Sequence, residues 1–113
     1  MDTDDVRRFA LSLPEATEEP HFESASFRIR GRIFATLPPG GEMLHVMVDA
    51  DESRAAAAGD PAFEELWWGK RLCGVRVRLA SVEAPEPVLE LVEDAWRRRA
   101  PKRVAAAYDA GRT

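Results

Sequence analysis

From Phe27 the chain alternates apolar and charged residues one for one: Phe27, Arg28, Ile29, Arg30, then Gly31 and Arg32. A period of two fits a strand with one face buried and the other in water, and it fits no helix. The chain must therefore build a sheet and cover one side of it. Gly31-Arg32 predicts a tight reversal, with Gly supplying the positive φ that such turns need. A second strand is expected over Ile33 to Leu37, ended by Pro38-Pro39-Gly40-Gly41. A third runs from Met43 to Val48, with Leu44, Val46 and Val48 on one side. The alternation returns from Gly74 to Ala80, where Val75, Val77 and Leu79 oppose Arg76 and Arg78.

Helical periodicity occupies the flanks. Val6, Phe9, Ala10 and Leu13 share one face of a helix over residues 4–13, with Thr3 as its expected N-cap and Pro14 as its stop. Glu15 to Pro20 is expected to be an acidic loop. Asp49 to Ala58 predicts a helix stopped by Gly59. Asp60-Pro61 predicts a short helical turn to Leu66, followed by a short strand over Leu66 to Trp68 and a turn at Gly69-Lys70-Arg71. Pro85 to Arg99 predicts a long helix whose stripe is Val88, Leu91, Val92, Ala95 and Arg99, with acids early and arginines late, as the helix dipole favours. Val104 to Ala110 closes the chain as a short helix. The expected order is α-β-β-β-α-β-β-α, an α+β fold in which helices pack on one face of an antiparallel β-sheet. No linker divides the 113 residues, so a single domain is expected over residues 1–113.

If helices cover one face, Phe27, Ile29, Ile33, Ala35, Leu44, Val46, Val48, Val75, Val77 and Leu79 point into the core. The other face then presents Arg28, Arg30, Arg32, Phe34, Thr36, His45, Met47, Arg76 and Arg78, with no carboxylate. Guanidinium groups bind phosphate with planar, multiple contacts, and an exposed aromatic ring can stack a base. Arg28, Arg30, Arg32, Phe34, His45, Arg76 and Arg78 are therefore the candidate nucleic-acid contacts, with nucleic acid or another phosphate-bearing ligand as the expected partner. The same arginines also suit a plainly solvated face. The net charge of −4 and pI near 5.2 argue against sequence-independent duplex binding.

Other features set limits. A single Cys excludes an internal disulfide, and no Cys/His group has zinc-site spacing. No apolar run reaches the roughly 18 residues of a membrane span, so no membrane partner is expected. The acidic start, Met-Asp-Thr-Asp-Asp, is unlike a signal peptide, and a cytoplasmic protein is expected. No catalytic signature, metal site or cofactor motif is present, so a non-enzymatic binding module is expected, with no cofactor. Cys73 lies near Lys70 and Arg71 without a nearby base. Of the adjacent Trp67 and Trp68, one is expected in the core and one outside.

His21 to Leu37, HFESASFRIRGRIFATL, resembles the signature of the MmcQ/YjbR family. So do Ala10-Leu11-Ser12-Leu13-Pro14 before it, Trp68-Gly69 after it, and Ala95-Trp96-Arg97 followed by Ala100-Pro101-Lys102-Arg103. The resemblance covers nearly the whole chain. It implies a frataxin/CyaY-like arrangement of sheet and helices and a DNA-binding role, and it assigns no catalytic residues. It places His21 in a recurrent motif, where the ring is expected to close a corner of the chain; a His/carboxylate site with Glu18, Glu19 and Glu23 is the alternative. Frataxin-like proteins are similar in placing iron-holding acids where this chain has Asp2, Asp4, Asp5, Glu15, Glu18 and Glu19, which makes metal handling a weaker alternative. A protein–protein adaptor is the rival from another class, suggested by alternating acidic and basic blocks: residues 81–96 hold five acids and no base, residues 97–113 six bases and one acid.

Overall fold

The computed structural model describes residues 1–111. Four helices and six strands follow the order α1 (Thr3–Ser12), β1 (Ala16–His21), β2 (Ser24–Ile29), β3 (Arg32–Leu37), β4 (Met43–Val46), α2 (Ala50–Gly59), β5 (Phe63–Trp68), β6 (Arg71–Arg78), α3 (Glu86–Arg99) and α4 (Lys102–Ala110), with a 3-10 turn at Leu79–Ser81. The strands form one open antiparallel sheet in the order β1-β2-β3-β4-β6-β5. The α+β class stands. One strand is added to the expected order, and one expected strand is longer.

The segment expected as an acidic loop is strand β1. It forms one edge of the sheet, paired only with β2, and five of its six residues are exposed. Glu18, Glu19 and Pro20 suit an edge, where charge and a missing N–H discourage further pairing. The second difference is the length of β5, the other edge: the strand expected over Leu66 to Trp68 begins already at Phe63, where the helical turn from Pro61 to Leu66 was expected. Asp60 does cap, accepting the Ala62 N–H at 2.8 Å on its carboxylate and the Phe63 N–H at 3.0 Å on its carbonyl. The turn stops there, and Phe63 enters the sheet opposite Val77.

Caps and turns also shift by a residue. The N-cap of α1 is Asp2, not Thr3: Asp2 accepts from the Asp5 N–H and the Asp5 carboxylate accepts from the Asp2 N–H, a reciprocal capping box. The two residues of the β2–β3 hairpin are Arg30 and Gly31, both at positive φ (52° and 79°), the backbone of a tight turn that matches strand twist.

Helix α3 lies over β2, β3 and β4, α1 packs on β1 and α3, and α2 covers β5 and β6. Their apolar stripes meet Phe27, Ile29, Leu44, Val46, Val75 and Val77 in one continuous core. Trp96 of α3 is completely buried; its indole N–H donates to the Pro14 carbonyl at 3.0 Å, and its ring meets Tyr108 of α4 edge-on at 5.1 Å. In the middle of β6, Gly74 leaves no room for a side chain, because a Cβ there would run into the Val46 carbonyl.

One contact between helices is tuned by pH. Glu52 of α2 is pushed up to about 7, first by burial, then by a hydrogen bond and charge from Asp94 of α3 and by Asp49, against a smaller pull from Arg98. The native state therefore holds a proton on Glu52 that the unfolded chain releases near pH 4.5. Between pH 4.5 and about 7 the native state binds more protons, so this group's contribution to stability is complete below that window and is lost as pH rises through it. Glu52→Gln keeps a donor for Asp94 and removes the titration. In urea unfolding from pH 4.5 to 8, the variant is expected to gain on the parent as pH rises; parallel profiles would contradict this assignment.

Candidate functional site

Across the sheet, Ser26, Thr36, His45, Arg76 and Glu64 pair in register, one from each of five strands, so they share the face opposite the helices. The strand alternation thus delivers the expected open polar face. Its charge differs from expectation, because carboxylates reach several arginines. Arg30 is clamped by both oxygens of Glu15, at 2.6 and 3.2 Å, and Arg78 meets Glu64 at 3.2 Å. Arg28 folds along the edge, donating to Ser26 Oγ at 2.9 Å and to the Pro20 carbonyl at 3.4 Å. Arg76 is exposed, and its side chain makes no hydrogen bond or ion pair among the described residues. Its charge, after burial, helps hold His45 below the ordinary histidine range, so His45 faces the hollow described below as a neutral ring at pH 7.

Phe34 is a correction. It is 0 % exposed and belongs to the core. The register between β2 and β3 shifts by one residue between Phe27 and Arg28, which leaves Phe34 as the extra residue of a β-bulge. Phe34 and Ala35 both turn inward, and Ile33, expected inside, comes opposite Arg28 and is only half-buried. Arg32 falls at the sheet's end, where its Nη1 donates to the Arg99 carbonyl at 3.3 Å. A second bulge, between Leu66 and Trp67, skips Cys73. Trp67 and Trp68 are both exposed, at 50 % and 80 %, where one was expected in the core; they stand at the tip of the edge hairpin.

These bulges curl the sheet around a hollow of ≈ 640 Å³ on the open face. Ile33, Thr36, His45, Met47 and Leu66 line it, with Trp67, Trp68 and Cys73 on the β5–β6 side, His21 and Ser24 at the opposite hairpin, and Arg32 and Arg99 at one end. No carboxylate among the described residues lines it. A smaller hollow of ≈ 300 Å³ adjoins it through Met47, Trp68, Cys73 and Arg99 and adds Arg71, Arg98 and one carboxylate, Asp49, which is occupied in capping α2 through the Glu52 N–H at 2.8 Å. A separate ≈ 550 Å³ groove between α1 and the start of α3 has mixed charge, with Asp5, Arg8 and Glu83.

Arg99 and Arg71 were absent from the expected site. Arg99 ends α3 on the helix side, and Arg71 starts β6 opposite Trp68. The signal for Arg99 lay in the helix stripe, which it continues four residues after the buried Ala95: a charged residue on an apolar stripe needs a reason to be there.

The remaining candidates are quiet. His21 is exposed and packs its ring against Phe22 at 4.8 Å, and among the described residues no group of three His, Cys, Asp or Glu side chains could hold a metal ion. Three acids of α1 and β1 are engaged by arginines of α1, Arg7 with Asp4 at 3.2 Å and Glu18 at 2.8 Å and Arg8 with Asp5 at 3.6 Å, and Glu15 is held by Arg30. The Cys73 thiol donates to the Leu66 carbonyl at 3.4 Å. No helix is long and apolar enough to cross a membrane among the described residues.

The same fold occurs in solved structures. A crystal structure of Deinococcus radiodurans protein DR2400, with a DUF419 domain, superposes with a TM-score of 0.71 at 20 % identity, covering 82 % of this chain and 74 % of that one. A Pseudomonas syringae protein superposes with a TM-score of 0.70 at 13 % identity, covering 88 % of this chain and 100 % of that one. No curated protein matches the sequence. The family model described as YjbR matches residues 11–98, which take in every strand and most of α3. The chain belongs to the YjbR family.

Proposed function

We propose that the chain is a non-enzymatic binding module that holds a single-stranded nucleic acid across the open face of its sheet. The observation that carries this reading is the hollow: arginines at one end, two exposed tryptophans on one side, and no carboxylate in its wall among the described residues. Stacking on aromatic rings and a few phosphate contacts suit an unpaired strand, whose bases are free to splay. A duplex is disfavoured by the same face, since Arg30 and Arg78 are held by carboxylates and both sheet edges are acidic.

The test is fluorescence anisotropy of a labelled oligothymidine and of a duplex of equal length, titrated over a range of salt. The single strand is expected to bind at low salt, and two or three phosphate contacts give a slope of log K against log salt of about −1.4 to −2. The duplex is expected to bind more weakly. Absence of strand binding at low salt, where counterion release favours it most, overturns the reading. One observation favours a protein partner instead: Phe22 is 94 % exposed at the tip of the β1–β2 hairpin, where its φ of 56° places it in the left-handed region. An adaptor role predicts that Phe22→Ser abolishes capture of a stoichiometric protein while leaving oligonucleotide binding unchanged.

A further inference from the structure

Three arginines end α3, and they differ in their surroundings. Arg97 finds Asp109 at 2.7 Å, Asp94 at 3.2 Å and Glu93 at 3.3 Å. Arg98 donates to the Met47 carbonyl at 3.0 Å. Arg99 is half-buried, and its Nε is sealed from solvent without an acceptor, the one buried side-chain nitrogen or oxygen in that state among the described residues. Burial opposes its charge most, followed by its cationic neighbours Arg98, Arg32 and Arg71. A buried donor without an acceptor is unfavourable, and a half-buried cation among cations is more so. The helix dipole favours cations at this end, but Arg97 and Arg98 already serve it.

Arg99 lines both hollows, with Arg32 in the larger and Arg71 in the smaller. We propose that this end of the hollow binds the phosphomonoester dianion of a molecule that also carries a planar base, the phosphate held by Arg99, Arg32 and Arg71 and the base laid against Trp68. This deepens the strand-binding reading, on which it rests, by naming what the anchor point takes. A monoester offers three free oxygens and nearly two negative charges to three guanidinium groups; a diester within a strand offers two oxygens and one charge. The volumes, ≈ 640 and ≈ 300 Å³, suit a ligand of nucleotide size. A free mononucleotide and the phosphorylated end of a strand share this chemistry.

Calorimetry and tryptophan quenching with adenosine monophosphate, adenosine and inorganic phosphate test the proposal. Adenosine monophosphate is expected to bind saturably, adenosine about tenfold more weakly or worse, and inorganic phosphate to compete. Arg99→Met is expected to lower affinity for adenosine monophosphate by about tenfold or more and to melt at or above the parent's temperature, since it removes an orphan donor. A merely structural Arg99 predicts a lower melting temperature instead. Arg54→Met on α2 is expected to change nothing. Should Arg99→Met not fold, the exposed Arg32→Gln and Arg71→Gln carry the same expected loss. Equal binding of adenosine and adenosine monophosphate, or unchanged binding in the arginine variants, overturns the proposal. Oligothymidines with and without a terminal phosphate separate the two sources: tighter binding of the phosphorylated strand assigns the site to strand ends, and equal binding assigns it to the free mononucleotide. If an unphosphorylated strand binds and adenosine monophosphate does not, the anchor fails and the strand reading stands. If adenosine monophosphate binds through Arg99 and no strand binds, the anchor stands and the strand reading fails.

Discussion

Trp96→Ala is expected to lower the free energy of unfolding by about 3–5 kcal/mol, read as a drop in the urea midpoint. The side chain is completely buried where α1, α3 and α4 meet, so truncation leaves a cavity that the surrounding helices cannot close. It also strands an acceptor: the Pro14 carbonyl loses the indole N–H that ties the end of α1 to α3. Trp96→Phe separates the two effects, since it refills most of the volume and still leaves that carbonyl unmatched, for an expected loss of about 1–3 kcal/mol. A loss below about 1 kcal/mol in Trp96→Ala would mean that α3 is held some other way. The consequence reaches the site, because α3 presents Arg98 and Arg99 to the end of the hollow.

Arg71→Glu combined with Arg76→Glu is expected to weaken oligothymidine binding by about a hundredfold at low salt while leaving stability nearly unchanged. Both side chains are exposed and neither makes an ion pair among the described residues, so reversal breaks no native contact. Each reversal replaces an attraction for phosphate with a repulsion. Arg8→Glu combined with Arg54→Glu makes the same change in net charge on α1 and α2, away from the open face, and is expected to cost much less affinity. Equal losses in the two double variants would show that binding follows net charge and not this face. Arg76→Glu carries its own spectroscopic marker: removing the guanidinium that helps depress His45 should raise the His45 pKa, visible in the pH titration of its ring protons.

Period-two alternation was most legible where the strand is interior and its pairing regular, as in β6 beyond the bulge at Cys73. On β6, Val75 and Val77 are buried while Arg76 and Arg78 are exposed, as the alternation requires. The same rule misassigned Phe34 and Ile33, because one extra residue in β3 reverses the phase and a bulge leaves no mark in composition. Strand β1 was illegible for another reason. An edge strand with five exposed residues has no apolar period, and Thr17-Glu18-Glu19-Pro20 has the composition of a loop. At β5, Asp60-Pro61 gave a true local signal for a single capped turn, and pairing with β6 outweighed its extension into helix. Of the candidate site, Arg32, His45 and Arg76 were legible from alternation, whereas Arg71 and Arg99 depend on a hairpin bulge and on how the end of α3 meets the sheet.

The central claim is that the open face of the sheet, not the helical side, is the binding surface. Backbone amide chemical-shift mapping during titration with oligothymidine tests it most directly. The account predicts shifts concentrated at Thr36, His45, Met47, Arg71 and Arg76 and at the Trp67 and Trp68 indoles, with α1 and α2 unmoved. Shifts clustered instead around Phe9, Val82 and Leu89, in the groove between α1 and α3, would contradict it.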